Sequence, residues 1–211
     1  MNVNQDGYRM NTRKPKSFYG VGVNDIGYRP NLGSIVVDGK LKNLRCQIYD
    51  TWFYMIKRCY SAKRQQLSPA YIGCTVSSEW HLFSNFKAWM ESQNWKGKQL
   101  DKDLLVPGNK VYSPDTCVFL ESEVNKLMSR GAASLGVGLI GCTKKSGRSK
   151  FIAQCRNPVS GKRKHLGSFD TAEQAHEAWR EFKHSLALMY ADREPDPRIA
   201  DALRTRYAKS V

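Results

Sequence analysis

The sequence predicts an α+β chain, and three observations predict it. A helical apolar stripe runs through residues 47–60. A strand–loop–strand–helix order fills residues 100–128. Two basic strands around a polar turn, followed by a second long amphipathic helix, occupy residues 150–190. Length sets the scale, since 211 residues suffice for one or two small domains with modest cores.

In the first helix Trp52, Met55, Ile56 and Cys59 recur at i, i+3, i+4 and i+7, which is one face of a 3.6-residue period, while Lys57 and Arg58 lie off it. A second helix is expected after Ser77-Ser78, capped by one of the serines, with Trp80, Phe83, Phe86, Trp89 and Met90 as its buried face. Between them, 69–76 reads as a turn and a short strand. After Leu100-Asp101-Lys102-Asp103 comes the turn Pro107-Gly108-Asn109-Lys110. The strand Cys117-Val118-Phe119-Leu120 and the helix Ser122–Met128 follow. The first 45 residues, rich in Gly, Asn and basic side chains, read as an irregular basic arm with short extended pieces near Ile35-Val36-Val37.

In the last third, alternation along Lys150–Arg156 turns Phe151, Ala153 and Cys155 to one face. Lys150, Gln154 and Arg156 go to the other, with Ile152 among them. Arg163 and His165 share the polar face of the next strand, and Leu166 points inward. Asp170 or Thr171, with Glu173 or Gln174 three residues on, announces a capped helix. Its stripe of Ala175, Ala178, Trp179, Phe182, Leu186 and Met189 covers the back of the sheet. Residues 129–135 form a linker, and Ile199, Leu203 and Tyr207 mark a terminal helix within 191–211.

Charge points to the partner. The 34 Lys and Arg against 19 Asp and Glu leave a net +15, which favours a phosphate backbone through counterion release. The chain opens polar with no apolar leader, and no apolar run is long enough for a membrane span. A cytoplasmic protein with no membrane partner is therefore expected. Six scattered cysteines form no C-x-x-C pair, so no zinc site is expected. Gly136-Val137-Gly138-Leu139-Ile140-Gly141 spells G-x-G-x-x-G, but a polar turn follows instead of a helix, so no nucleotide cofactor is expected.

Two stretches resemble known families. Gly136-Val137, Lys150-Phe151-Ile152-Ala153, Gly161-Lys162-Arg163, Leu166 to Ala175 and Trp179 resemble the AP2 DNA-binding domain. That resemblance implies a three-stranded antiparallel sheet laid in the major groove of double-stranded DNA. Lys150, Gln154, Arg156, Arg163 and His165 then face DNA, and Lys144, Lys145 and Arg148 contact phosphates. Gly138 and Ile140 depart from that family, which often has arginines there. Upstream, Trp52–Cys59, Tyr71–Trp80, Phe83–Trp89, Leu100–Asp103, Gly108–Lys110, Tyr112–Cys117 and Asn125 resemble the ββα-metal core of HNH endonucleases. The combined order is similar to phage HNH homing endonucleases with an AP2-type tail, including those of T7-like phages.

The resemblance divides the chain into a basic arm at 1–45, an HNH-like nuclease domain at 46–130, an AP2-like domain at 136–190 and a tail helix at 191–211. It implies Mg²⁺ or Mn²⁺ held by Asp101 and Asn125, with Asn109 bracing the loop. Lys102 stands where the general-base histidine is expected, and no histidine falls between 82 and 164. A lysine is cationic near neutral pH, so it suits the scissile phosphate, and Asp103 is left as a further ligand or the water activator. The leading expectation is a DNA endonuclease acting in the host cytoplasm. The alternative is a catalytically inactive, regulatory or protective DNA-binding protein on the same fold.

Overall fold

The computed structural model describes residues 17–128, 138–144, 146–147, 149–158 and 160–209. In chain order the strands and α-helices begin with β1 (Ser17–Phe18), β2 (Gly22–Val23), β3 (Asn31–Val37), β4 (Lys40–Arg45), α1 (Gln47–Tyr60), α2 (Ala62–Leu67), β5 (Thr75–Val76) and α3 (Phe83–Glu91). They continue with β6 (Gln99–Asp101), β7 (Val111–Tyr112), β8 (Val118–Leu120), α4 (Ser122–Met128), β9 (Cys142–Lys144), β10 (Phe151–Arg156), β11 (Arg163–Phe169), α5 (Ala172–Ala191) and α6 (Pro197–Arg206). The class is α+β, with helices and small, mainly antiparallel sheets. The chain divides into two compact units. One runs to Lys96 and takes in Val106–Phe119; the other comprises Gly97–Leu105 and the chain from Leu120 onward.

The first unit is built on α1. Trp52, Met55 and Ile56 are fully buried, and the Trp52 indole donates to the Trp80 carbonyl at 2.8 Å. The β1–β2 hairpin lies on this helix so closely that a Cβ at Gly22 would meet the Trp52 ring at 3.0 Å. Phe18 sets its ring edge-on to Trp52, and Tyr28 packs on Tyr49 and Phe83. Residues 17–45 are thus two hairpins, β1–β2 and β3–β4, and not an irregular arm. The Asp38-Gly39 dipeptide explains the second: both residues take positive φ (51° and 71°), the conformation of a two-residue type I′ turn.

The expected serine-capped helix after Ser77-Ser78 is also corrected. Ser78–His81 form a 3-10 turn, Leu82 is extended, and α3 starts only at Phe83. Its first turn is capped from far along the chain, where Asp25 accepts the Ser84 N–H at 3.0 Å. That carboxylate satisfies an orphan donor the local sequence leaves open.

In the second unit the sheet order is β11–β10–β9, antiparallel throughout. Cys142, Ala153 and Ala175 form its fully buried centre, with Phe151, Leu166 and Phe169 around them. Thr171 and Gln174 make a reciprocal capping box at the start of α5, as the sequence predicts. The same helix buries Lys183, Leu186, Ala187 and Tyr190. It packs on both α4 and α6.

The sheet carries a β-bulge. Ala153 pairs with Gly167 but Gln154 pairs with His165, which leaves Leu166 as the extra residue. Gly167 has φ 146°, and a Cβ there would meet the Phe169 ring at 2.9 Å. The bulge keeps Leu166 against the core and shifts the later alternation by one, so that Ser168 joins His165 on the outer face.

Candidate functional site

Register defines the outer face of the sheet. Ile152, Gln154 and Arg156 share one side of β10, and across β11 they meet Ser168, His165 and Arg163; Thr143 of β9 stands opposite Ile152. Arg156, Arg163 and His165 are exposed. Arg156 is held by its Nε donating to the Gly161 carbonyl at 2.8 Å, so the β10–β11 turn orients one guanidinium beside the other. Lys150 precedes the strand on the same side and pairs with Asp170 at 3.2 Å.

The opposite parity belongs to α5. Lys144 pairs in register with Phe151 and lays its ammonium 4.7 Å from that ring's centre. It therefore lies on the other face of the sheet from Arg156 and Arg163. Lys164 behaves alike, over Phe182 at 4.7 Å. Lys145, Arg148, Gly136 and Val137 lie outside the described residues. Thr143 and Ser168 were not anticipated. Ser168 reaches the outer face only because the bulge shifts the alternation by one, and the signal for it is the glycine at 167.

The G-x-G-x-x-G stretch has a packing role at its last glycine. Gly141 has φ 82°, and a Cβ there would lie 2.0 Å from Trp179 Cγ. His176 fixes the same turn with Nδ1 at 2.7 Å from the Ile140 carbonyl. The segment runs into β9, not into a helix.

The second candidate site lies on β6 and α4, which pack together. Asp101 ends β6. Its Oδ1 accepts the N–H groups of Asp103 at 2.9 Å and Leu104 at 2.7 Å. Burial pushes the Asp101 carboxyl above the usual carboxylate range, and those two N–H groups pull it partly back. Asn125 projects from α4 and donates to Gln99 Oε1 at 2.7 Å. Gln99 and Asp101 are two residues apart on one strand and so share a side. Asp101 and Asn125 are thus brought to the same side of β6. Lys102 is buried, 6% exposed, and its ammonium meets Asp103 at 2.6 Å.

Asn109 belongs to the other unit. Its side chain bridges its own turn, donating to the Val111 carbonyl at 2.6 Å and accepting the Val111 N–H at 2.9 Å. Among the described residues no three His, Cys, Asp or Glu side chains gather into a group able to hold a metal ion. The oxygen donors of Asp101 and Asn125 still suit Mg²⁺, which binds through one or two carboxylates and keeps most of its waters.

No family model matches the chain, and neither a curated protein nor a solved structure does. No helix among the described residues is long and apolar enough to cross a membrane.

Proposed function

We propose that this protein binds duplex DNA with the outer face of the β9–β10–β11 sheet. The observation that carries the reading is the adjacent, exposed pair Arg156 and Arg163, flanked by Gln154 and His165, on a sheet whose other face packs against α5. Two guanidiniums presented on a rigid sheet suit phosphate oxygens or guanine edges, and Gln154 suits adenine. The test is anisotropy titration of a labelled duplex across a salt series. Arg156→Ala with Arg163→Ala is expected to shrink the slope of log Kobs against log[salt] by about 2, one ion equivalent per lost contact. An unchanged slope overturns the docking face.

A second reading is that the protein is an HNH-type endonuclease, cleaving or nicking the DNA it binds. It is favoured by one observation, the placement of Asp101 and Asn125 on the same side of β6. A divalent ion there would stabilise charge on the phosphate and the leaving oxygen. Asp101 and Asn125 would hold it, and Lys102, paired with Asp103, would stand beside the phosphate. Asp101→Asn is the discriminating variant, because an amide oxygen still accepts the Asp103 and Leu104 N–H groups while the charge is lost. Metal-dependent plasmid nicking by the parent, absent in this variant and in EDTA, supports cleavage. Equal behaviour of parent and variant leaves binding alone.

A further inference from the structure

The β3–β4 hairpin has no role in either reading above. It is a two-stranded ribbon of residues 31–45 that is exposed along nearly all of its length on both faces. A lone hairpin gains little stability from burial in water, so its order comes from its ends. The Asp38-Gly39 turn closes the tip. At the base, the Cys46 N–H donates to the Pro30 carbonyl at 2.8 Å, and Arg45 grips Asp50 in the first turn of α1 through bonds of 2.6 and 2.9 Å.

Register sorts the two faces. Val36 stands opposite Leu41 and Ser34 opposite Asn43 on one; Ile35 stands opposite Lys42 and Val37 opposite Lys40 on the other. Val36 and Leu41 are 69% and 73% exposed, so the most apolar pair of the ribbon is also among its most exposed. An arm tied at both ends that shows an apolar pair on one face and two lysines on the other is preorganised for a partner, and little ordering cost remains on binding.

We infer that the β3–β4 ribbon is a second DNA-docking element, which enters a groove of the duplex with the Val36–Leu41 face against base edges or sugars and with Lys40 and Lys42, on the other face, reaching the flanking phosphates with their long side chains. The inference rests on the DNA-binding reading and extends it to the first unit. Charge selects this occupant: Lys40 and Lys42 on the ribbon outnumber the single carboxylate of Asp38 at its tip, in a chain of net charge +15. Shape agrees, because the major groove of B-DNA admits a two-stranded β-ribbon.

The experiment compares the full chain with Lys40→Ala/Lys42→Ala and with Val36→Ser/Leu41→Ser in the same salt-series titration. All four side chains are exposed, so circular dichroism and the unfolding midpoint should match the parent. The lysine pair is expected to reduce the salt slope by about 2. The apolar pair is expected to weaken binding several-fold with the slope unchanged and to shorten the nuclease footprint. Parent-like affinity, slope and footprint in both variants overturn the ribbon alone, provided the Arg156/Arg163 variant still loses slope. A parent chain that ignores duplex at low salt overturns the ribbon and the sheet together. A concentration-dependent dimer in sedimentation that Val36→Ser/Leu41→Ser abolishes, with DNA binding intact, assigns the ribbon to a second copy and also overturns it.

Discussion

Single residues fix the candidate sites by what they exclude. Gly141 leaves room for Trp179 by having no side chain. Alanine there must both hold a left-handed backbone and displace the indole it would overlap. Gly138 has a similar φ of 74° but nothing within reach of a Cβ. The two substitutions therefore separate strain from packing. Gly138→Ala should cost about 1 kcal/mol, from backbone strain alone. Gly141→Ala should cost about 3 kcal/mol or more once overpacking is added. Urea midpoints at unchanged m-values read the difference. Equal losses would mean that Trp179 yields freely, and that the turn before β9 is not held by packing. Asp101 works by a similar economy, since its single Oδ1 organises the turn that also presents Lys102 and Asp103.

At the scale of elements, what was legible in the sequence was local. The stripe Trp52, Met55, Ile56, Cys59 yields α1, and Thr171 with Gln174 yields the start of α5, because period and cap are properties of neighbouring residues. The late start of α3 was not legible, because its cap, Asp25, lies 59 residues from Ser84. The bulge at Leu166 was missed because strict alternation assumes an unbroken ladder. The β3–β4 hairpin has its signal in Asp38-Gly39, which stands out little among the many glycines of the first 45 residues.

Of the candidate sites, the outward set on β10 was readable from alternation. The placement of Asn125 on Gln99 needed the packing of α4 on β6. That helix is held at both ends. Tyr190 of α5 donates to Glu123 at 3.0 Å, and Lys183 and Tyr207 both donate to the Leu127 carbonyl. Burial and the Glu123 carboxylate push the Tyr190 phenol up to about 12. A folded value above the unfolded one, about 10, favours the protonated phenol in the folded state. Its contribution is therefore complete below pH 10 and lost as pH rises toward 12. Tyr190→Phe should cost about 1–2 kcal/mol at neutral pH, the worth of a hydrogen bond to a charged group. The gap to the parent should then close above pH 10. Thermal unfolding across that range tests it, and a gap that stays constant would assign the loss to packing.

For the whole molecule, if it binds DNA as proposed, the governing quantity is the number of phosphates met at once. A net charge of +15 favours polyanions in general but does not say which cations make contact. Two surfaces compete for that role, the outer face of the β9–β10–β11 sheet and the β3–β4 ribbon, and they belong to different compact units. Counterion release adds contact by contact, and substitutions with no shared partner add in free energy. If both surfaces engage one duplex, removing Arg156, Arg163, Lys40 and Lys42 together should reduce the salt slope by about 4, the sum of the two pairs. If only one engages, the combined variant should match the stronger pair alone. Long-range attraction without contact gives a third signature, with all variants losing a similar small amount in proportion to the charge removed. A single salt series on five proteins, the parent, the two pairs, their combination and a control with two lysines replaced elsewhere on the surface, separates these outcomes. The combined loss matching the sum, with the control near the parent, is the result expected if both proposed surfaces engage DNA.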